Sequence, residues 1–214
     1  MNPNTSRAIA AGPAGAIECA IDMPAGVLAG ATLGSVVVCH PHPQHGGTMD
    51  NKVVQTLARA FVQLGWRSVR FNFRGVGGSQ GLWDEGRGEV DDALAVLAMA
   101  RAEQPAAPFM LAGFSFGGYV AAEAASRLPE GGRPQRLVLV GPSTQRQQVP
   151  AVPADTLVIH GETDDVVPLS ATLDWARPQS LPVTVFPGVG HFFHGQLGLL
   201  KHVVVQALQP RLPL

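Results

Sequence analysis

The chain has 214 residues, enough for one domain with a sizeable core, and we expect a single domain over 1–214. Hydrophobic residues make up 46% and charged residues only 14%, which excludes general disorder. A formal net charge of −1 with no block of like charge argues against a nucleic-acid or anionic-membrane partner. Two cysteines, Cys19 and Cys39, are too few for a disulfide framework and read as small buried side chains. No apolar run reaches the roughly 18–20 residues of a membrane span. The alanine-rich segment after Arg7 is broken by Gly12, Pro13 and Gly15, which makes a poor signal-peptide core. The expected location is the cytoplasm.

In chain order, Ala16–Ile21 and Val27–Ala31 fit an antiparallel pair at a sheet edge. Six short apolar runs follow, at Ser35–Cys39, Arg67–Phe73, Pro108–Gly113, Arg136–Gly141, Asp155–His160 and Pro182–Phe186. Their length and their content of Val, Leu, Ile and Phe suit strands covered on both faces. Helical periodicity occupies the intervals Asp50–Leu64, Glu89–Glu103, Gly117–Leu128, Leu169–Ala176 and Leu197–Leu208. Glu89, Asp91 and Asp92 crowd the first turn of the second of these, where the helix dipole favours negative charge. This alternation predicts an α/β fold with a mostly parallel sheet and helices on both faces.

Gly113-Phe114-Ser115-Phe116-Gly117 is a G-x-S-x-G pentapeptide between a predicted strand and a predicted helix. Such a turn holds a serine in a strained conformation with its hydroxyl projecting from the sheet. The glycines let strand and helix approach, and the amides at the helix start point toward a developing oxyanion. Ser115 is thus the expected nucleophile.

The segments His40–Met49, Asn72–Ser79, Gly113–Gly117, Gly161–Pro168 and Gly190–Phe193 together resemble the α/β-hydrolase superfamily, most nearly its small bacterial members without a lid. The second segment is similar to the N/D-x-R-G-x-G-x-S turn of that superfamily. The resemblance implies the α/β-hydrolase fold and serine hydrolysis, but no particular substrate. It also implies the triad order Ser, Asp, His. Asp164-Asp165-Val166-Val167-Pro168 resembles the D-x-V-V-P element whose first residue is the acid, so Asp164 is expected to orient the imidazole, with Asp165 as the rival. His191, in a glycine-containing loop after the last strand, is the expected general base. Of the remaining histidines, His160 reads as a core residue, His202 as structural, and His194 as a neighbour of the site or a surface residue.

An oxyanion hole needs two backbone N–H groups. Phe116, directly after the serine, supplies one. Pro41 and Pro43 have no N–H, and His42 between them matches the donor of the superfamily's H-G-x loop, with His40 in the histidine position and Pro41 in the glycine position. Gln44 is the alternative. His40, His42 and His45 form an H-x-H-x-x-H string, but it falls where an oxyanion loop is expected, so neither a metal nor another cofactor is expected. Trp83, in a polar glycine-rich loop, is the leading pocket residue among Leu82, Trp83, Phe114, Phe116, Phe192 and Phe193.

Between two strands, Pro142–Ala154 offers 13 residues, too few for the cap domain usually inserted at that point of the superfamily, so an open site is expected. The leading reading is hydrolysis of carboxylic esters of small molecules through an acyl-enzyme. The same triad also cleaves thioesters, lactones or peptide bonds, and a hydrolase-fold protein without activity would lack one of the three residues.

Overall fold

The computed structural model describes residues 4–27 and 31–209. Eight strands form one sheet: β1 Thr5–Gly12, β2 Gly15–Asp22, β3 Ser35–Cys39, β4 Arg67–Phe71, β5 Phe109–Phe114, β6 Arg136–Val140, β7 Leu157–Gly161 and β8 Val183–Phe186. The helices are α1 Lys52–Gln63, α2 Arg87–Ala102, α3 Phe116–Ser126, α4 Leu169–Ala176 and α5 Leu197–Leu208. The strand order is β1-β2-β4-β3-β5-β6-β7-β8, with β1 and β2 antiparallel and the rest parallel.

The edge pair differs from the expectation. Gly15–Asp22 pairs with Thr5–Gly12, from Thr5 opposite Asp22 to Gly12 opposite Gly15. Pro13-Ala14 makes the connection, and Gly15 completes it with φ 117°. Ala8 and Ala10 pack on the core while Ile9 is 63% exposed, so the strand buries only small residues on its inner face. Of the expected strand Val27–Ala31, Val27 and Ala31 lie in no strand, and residues 28–30 lie outside the described residues.

Alternate residues of the parallel strands feed two cores. Val36, Val38, Met110, Ala112, Phe114, Val138 and Val140 face α1 and α5, whereas Val37, Cys39, Leu111, Leu137 and Leu139 face α2 and α3. The period of two in side-chain direction and the two-sided burial account for the uninterrupted apolar runs. α1 is started by the Asn51 side chain, which accepts the Val53 N–H at 2.9 Å, and it buries Val53, Val54, Leu57 and Phe61.

The acids at the start of α2 do more than complement the dipole. Glu89 is fully buried and accepts the N–H groups of Asp84 and Gly86 at 3.0 and 2.7 Å. Asp92, also fully buried, holds Arg74 through two side-chain hydrogen bonds of 3.0 and 2.8 Å and takes its backbone N–H as well. Only Asp91 lies exposed, paired with Arg127.

Candidate active site

The loops at the C-terminal ends of β3, β5, β6, β7 and β8 meet on one edge of the sheet. β3 is flanked by β4 and β5, so the chain leaves it in opposite directions to reach its neighbours. This is where the strand order reverses and where ligands of open parallel sheets bind.

Ser115 sits at that point, between β5 and α3, with φ 56° and ψ −120°. A non-glycine residue in that region is strained and is held there only by its surroundings. Its N–H donates to Val140 O at 2.9 Å, and its carbonyl accepts from Gly118 N–H at 2.9 Å and Ser143 N–H at 3.2 Å. The flanking glycines are needed for contact: a Cβ on Gly113 would lie 1.9 Å from Gly117 O, and one on Gly117 would lie 2.3 Å from Cys39 O.

Asp164 and His191 come together from the loops after β7 and β8. His191 Nδ1 donates to Asp164 Oδ2 at 2.6 Å, with both side chains almost fully buried. The other carboxylate oxygen, Oδ1, accepts the N–H groups of Val166 and Val167 at 2.9 and 2.8 Å. Burial pushes the Asp164 carboxyl up, but the His191 bond and the two amides outweigh it and hold it below its ordinary range. Asp165 is exposed and makes no side-chain hydrogen bond or ion pair among the described residues. The geometry thus separates the two adjacent acids, which spacing alone leaves equivalent. The His191 ring passes over Gly141, whose missing Cβ would lie 3.4 Å from Cε1, and Gly141 directly follows the Val140 that anchors Ser115. Ser115 Oγ itself makes no hydrogen bond among the described residues. That link is commonly loose before substrate binds.

The loop bearing His191 turns at Gly188, with φ 66°, and again at Phe193, with φ 53°. A bulky residue in this conformation is unexpected from sequence; Phe193 is fully buried, and its packing against Phe186 and the α5 side of the core holds it there. His160, beneath the acid, is fully buried and donates from Nε2 to Val167 O at 2.8 Å, with Asp164 Oδ2 at 3.4 Å. Burial pushes its pKa down, so it is a neutral core histidine. His194 and His202 are exposed, so His202 lies on the outer face of α5 rather than in its packing.

The opposite end of the site is made of backbone and rings. His40 is fully buried. Its Nδ1 donates to Pro41 O at 2.6 Å and its Nε2 accepts the Phe73 N–H at 3.1 Å. Burial drives its pKa down to about 3, and both nitrogens are committed to the backbone. His42 closes the loop by accepting from His45 N–H and Gly47 N–H at 3.1 and 3.0 Å. Its own N–H and that of Phe116 donate to no protein acceptor among the described residues. The Gln44 N–H, by contrast, is turned onto His42 Nδ1 at 3.3 Å. Among the described residues no group of three or more His, Cys, Asp or Glu side chains is placed to hold a metal ion.

The N-x-R-G-x-G-x-S segment braces this loop. Asn72 Oδ1 accepts the Met49 N–H at 2.9 Å, Asn72 Nδ2 donates to Glu18 at 2.8 Å, and Ser79 Oγ donates to Asn72 O at 2.6 Å. Buried Arg70 adds bonds to Asp22, Asp50 and Met49 O, tying β2, β4 and the entry to α1 together.

Of the pocket candidates, Phe114 and Phe193 are core residues and Leu82 is 84% exposed. Trp83 and Phe116 pack against the His42 ring at 4.6 and 5.1 Å between centroids, on the α2 and α3 side. Phe192, 42% exposed, stands edge-on to His191 at 5.0 Å on the other side. Residues 142–154 form no helix, strand or cap.

Fold and site elbow together define a serine hydrolase of the α/β-hydrolase superfamily without a lid. Over residues 30–154 the chain matches the family model described as serine aminopeptidase, S33, and it belongs to that hydrolase family. A structure described as an α/β serine hydrolase homologue from Coxiella burnetii is 39% identical, with a TM-score of 0.86, covering 98% of this chain and 99% of that one. A structure from Xanthomonas campestris described as an α/β serine hydrolase without lid is 37% identical, with a TM-score of 0.88, covering 100% and 99%. A curated relative, an uncharacterized protein of Rickettsia prowazekii (strain Madrid E), is 46% identical over 95 residues, 44% of this chain and 40% of that protein. No helix among the described residues is long and apolar enough to cross a membrane.

Proposed function

We propose that this protein hydrolyses carboxylic esters through an acyl-enzyme, with Ser115 as nucleophile, His191 as general base and Asp164 as its orienting acid. The observation that supports it best is the Asp164–His191 pair at 2.6 Å, with the second carboxylate oxygen fixed by two amides. Asp164 holds the proton on Nδ1, which leaves Nε2 free to take the Ser115 proton as Oγ attacks the carbonyl carbon. The positive charge that develops on the imidazole is met by the carboxylate. The oxyanion receives the unclaimed N–H groups of Phe116 and His42. His191 then returns its proton to the departing alkoxide, and a water molecule, activated the same way, releases the acid.

With no cap over the mouth, short accessible esters are the fitting substrates, and no rate jump is expected at a lipid–water interface. Free, buried Cys19 and Cys39 suit a reducing cytoplasm. Covalent labelling by a fluorophosphonate, together with hydrolysis of p-nitrophenyl acetate, tests the reading. Both should vanish in Ser115→Ala, and persistent labelling of that variant would refute it. The family's description favours one competing reading, hydrolysis of peptide bonds. Amino-acid p-nitroanilides cleaved faster than the matching esters would establish it in place of esterase activity.

A further inference from the structure

The loop after β6 carries a charge with no partner. Ser143 N–H donates to the carbonyl of Ser115 itself, and Gln147 N–H closes one turn back onto Ser143 O at 3.1 Å. Beyond that turn the loop is fastened to α4: Thr144 Oγ1 meets Thr172 Oγ1 at 3.0 Å, and Trp175 Nε1 donates to Val149 O at 3.0 Å. Arg146 stands exposed on this turn. It forms no hydrogen bond or ion pair among the described residues. Its charge nevertheless reaches the site: after burial and His45, it is the third influence lowering the pKa of His42.

The side of the site it occupies is also defined. Val149, Trp83 and Phe116 belong to the core on the α2 and α3 face, while Phe114 and Phe193, which flank the His191 loop, belong to the opposite core. A leaving group must face His191 to receive its proton. The acyl part therefore extends the other way, along Trp83 and toward Arg146. The one acid of the site, Asp164, is committed to His191 and its own loop amides, so it does not neutralise the arginine.

We infer that Arg146 selects substrates whose acyl part ends in a carboxylate, the monoesters of short dicarboxylic acids. This rests on the ester-hydrolase reading above. The guanidinium presents a planar fork of donors that suits a carboxylate, and at this open mouth the pair is partly screened by water.

The test compares kcat/KM for monomethyl glutarate and methyl pentanoate, measured by acid release at constant pH, in the unmodified protein and in Arg146→Gln and Arg146→Glu. Fluorophosphonate labelling of Ser115 serves as the measure of folded, competent enzyme. The ratio of the two kcat/KM values should favour the monoester and fall about tenfold in Arg146→Gln. It should fall further in Arg146→Glu, and half-molar salt should shrink the difference. Labelled protein whose ratio is the same in all three forms overturns the role of Arg146 and leaves the ester reading standing. Protein that neither labels nor hydrolyses either ester overturns the ester reading, and this inference with it.

Discussion

The two ends of the site are held by different means. At the His191 end, side chain bonds side chain: His191 to Asp164 at 2.6 Å, both almost fully buried, with His160 beneath. At the His42 end the groups that matter are backbone, and side chains serve only to shape it. His40 fastens the loop from below through both ring nitrogens, and Asn72 and Arg70 brace it from the neighbouring strand. An acid and a base need defined protonation states, which burial and short hydrogen bonds impose. An oxyanion donor needs only an amide held in place with nothing to bond, so the residue type there is free to vary while its neighbours are not.

That contrast is most sharply broken at the acid. Asp164→Asn keeps the shape but withdraws the charge that selects the Nδ1–H tautomer, and kcat should fall about 10⁴-fold. Asp165→Asn, at an exposed position without partners, should change it little. Steady-state rates on p-nitrophenyl acetate decide it, and equal losses in the two variants would remove the distinction between them. At the other end the ring should matter far less than the amide. His42 has φ −51° and ψ 121°, a conformation proline accepts. His42→Pro should therefore remove the donor without straining the loop and lower kcat about 10²–10³-fold. His42→Ala should keep most of the activity and be indifferent to chelators. A severe loss in His42→Ala together with chelator inhibition of the unmodified protein would point instead to a metal at the histidine string.

The smallest effect separates the ends by acid. His40 is held neutral, with a pKa of about 3 against about 6.5 in the unfolded chain, and His160 is lowered in the same sense. Below about 6.5 the unfolded chain takes up protons that these buried rings refuse, so stability falls as pH falls. Each such group contributes at most about 1.4 kcal/mol per pH unit. Asp164 is lowered below the carboxylate range, so its stabilisation is present at neutral pH and is lost only in stronger acid, as pH falls through its folded value. Urea midpoints should therefore decline from about pH 6.5 downward and more steeply below about 4. A flat profile between pH 7 and 4 would contradict the neutral buried histidines.

Much of this was readable in advance, and the exceptions have a common cause. β3, α4 and α5 have the boundaries expected from periodicity, because two-sided burial and helical spacing are local signals. Ser115, Asp164 and His191 were legible through short motifs, each contained in one loop. The first strand was not, since Ala8 and Ala10 give it almost no apolar alternation and Ile9 points outward. Nor were the partners of Arg74 and His40. Asp92 lies 18 positions from Arg74, and Phe73 lies 33 positions from His40, and nothing nearby in the chain announces either pairing. The left-handed Phe193 was equally hidden, because a bulky residue adopts that conformation only when the core beyond it demands it.

The turn at Ser143–Gln147 has a further consequence for how such a protein can change. One end of its loop is pinned to Ser115 and the other to α4, while Gln145, Arg146 and Gln148 project into solvent. Added chain between the pins pulls on neither, and closing a longer excursion costs only about 0.6 kcal/mol per doubling of its length. An entire folded module could be spliced in at this tip and would stand over the mouth of the site with the sheet below it untouched. A permanently open enzyme and a gated one are therefore separated by a single insertion point, and in this chain that point is the turn that presents Arg146.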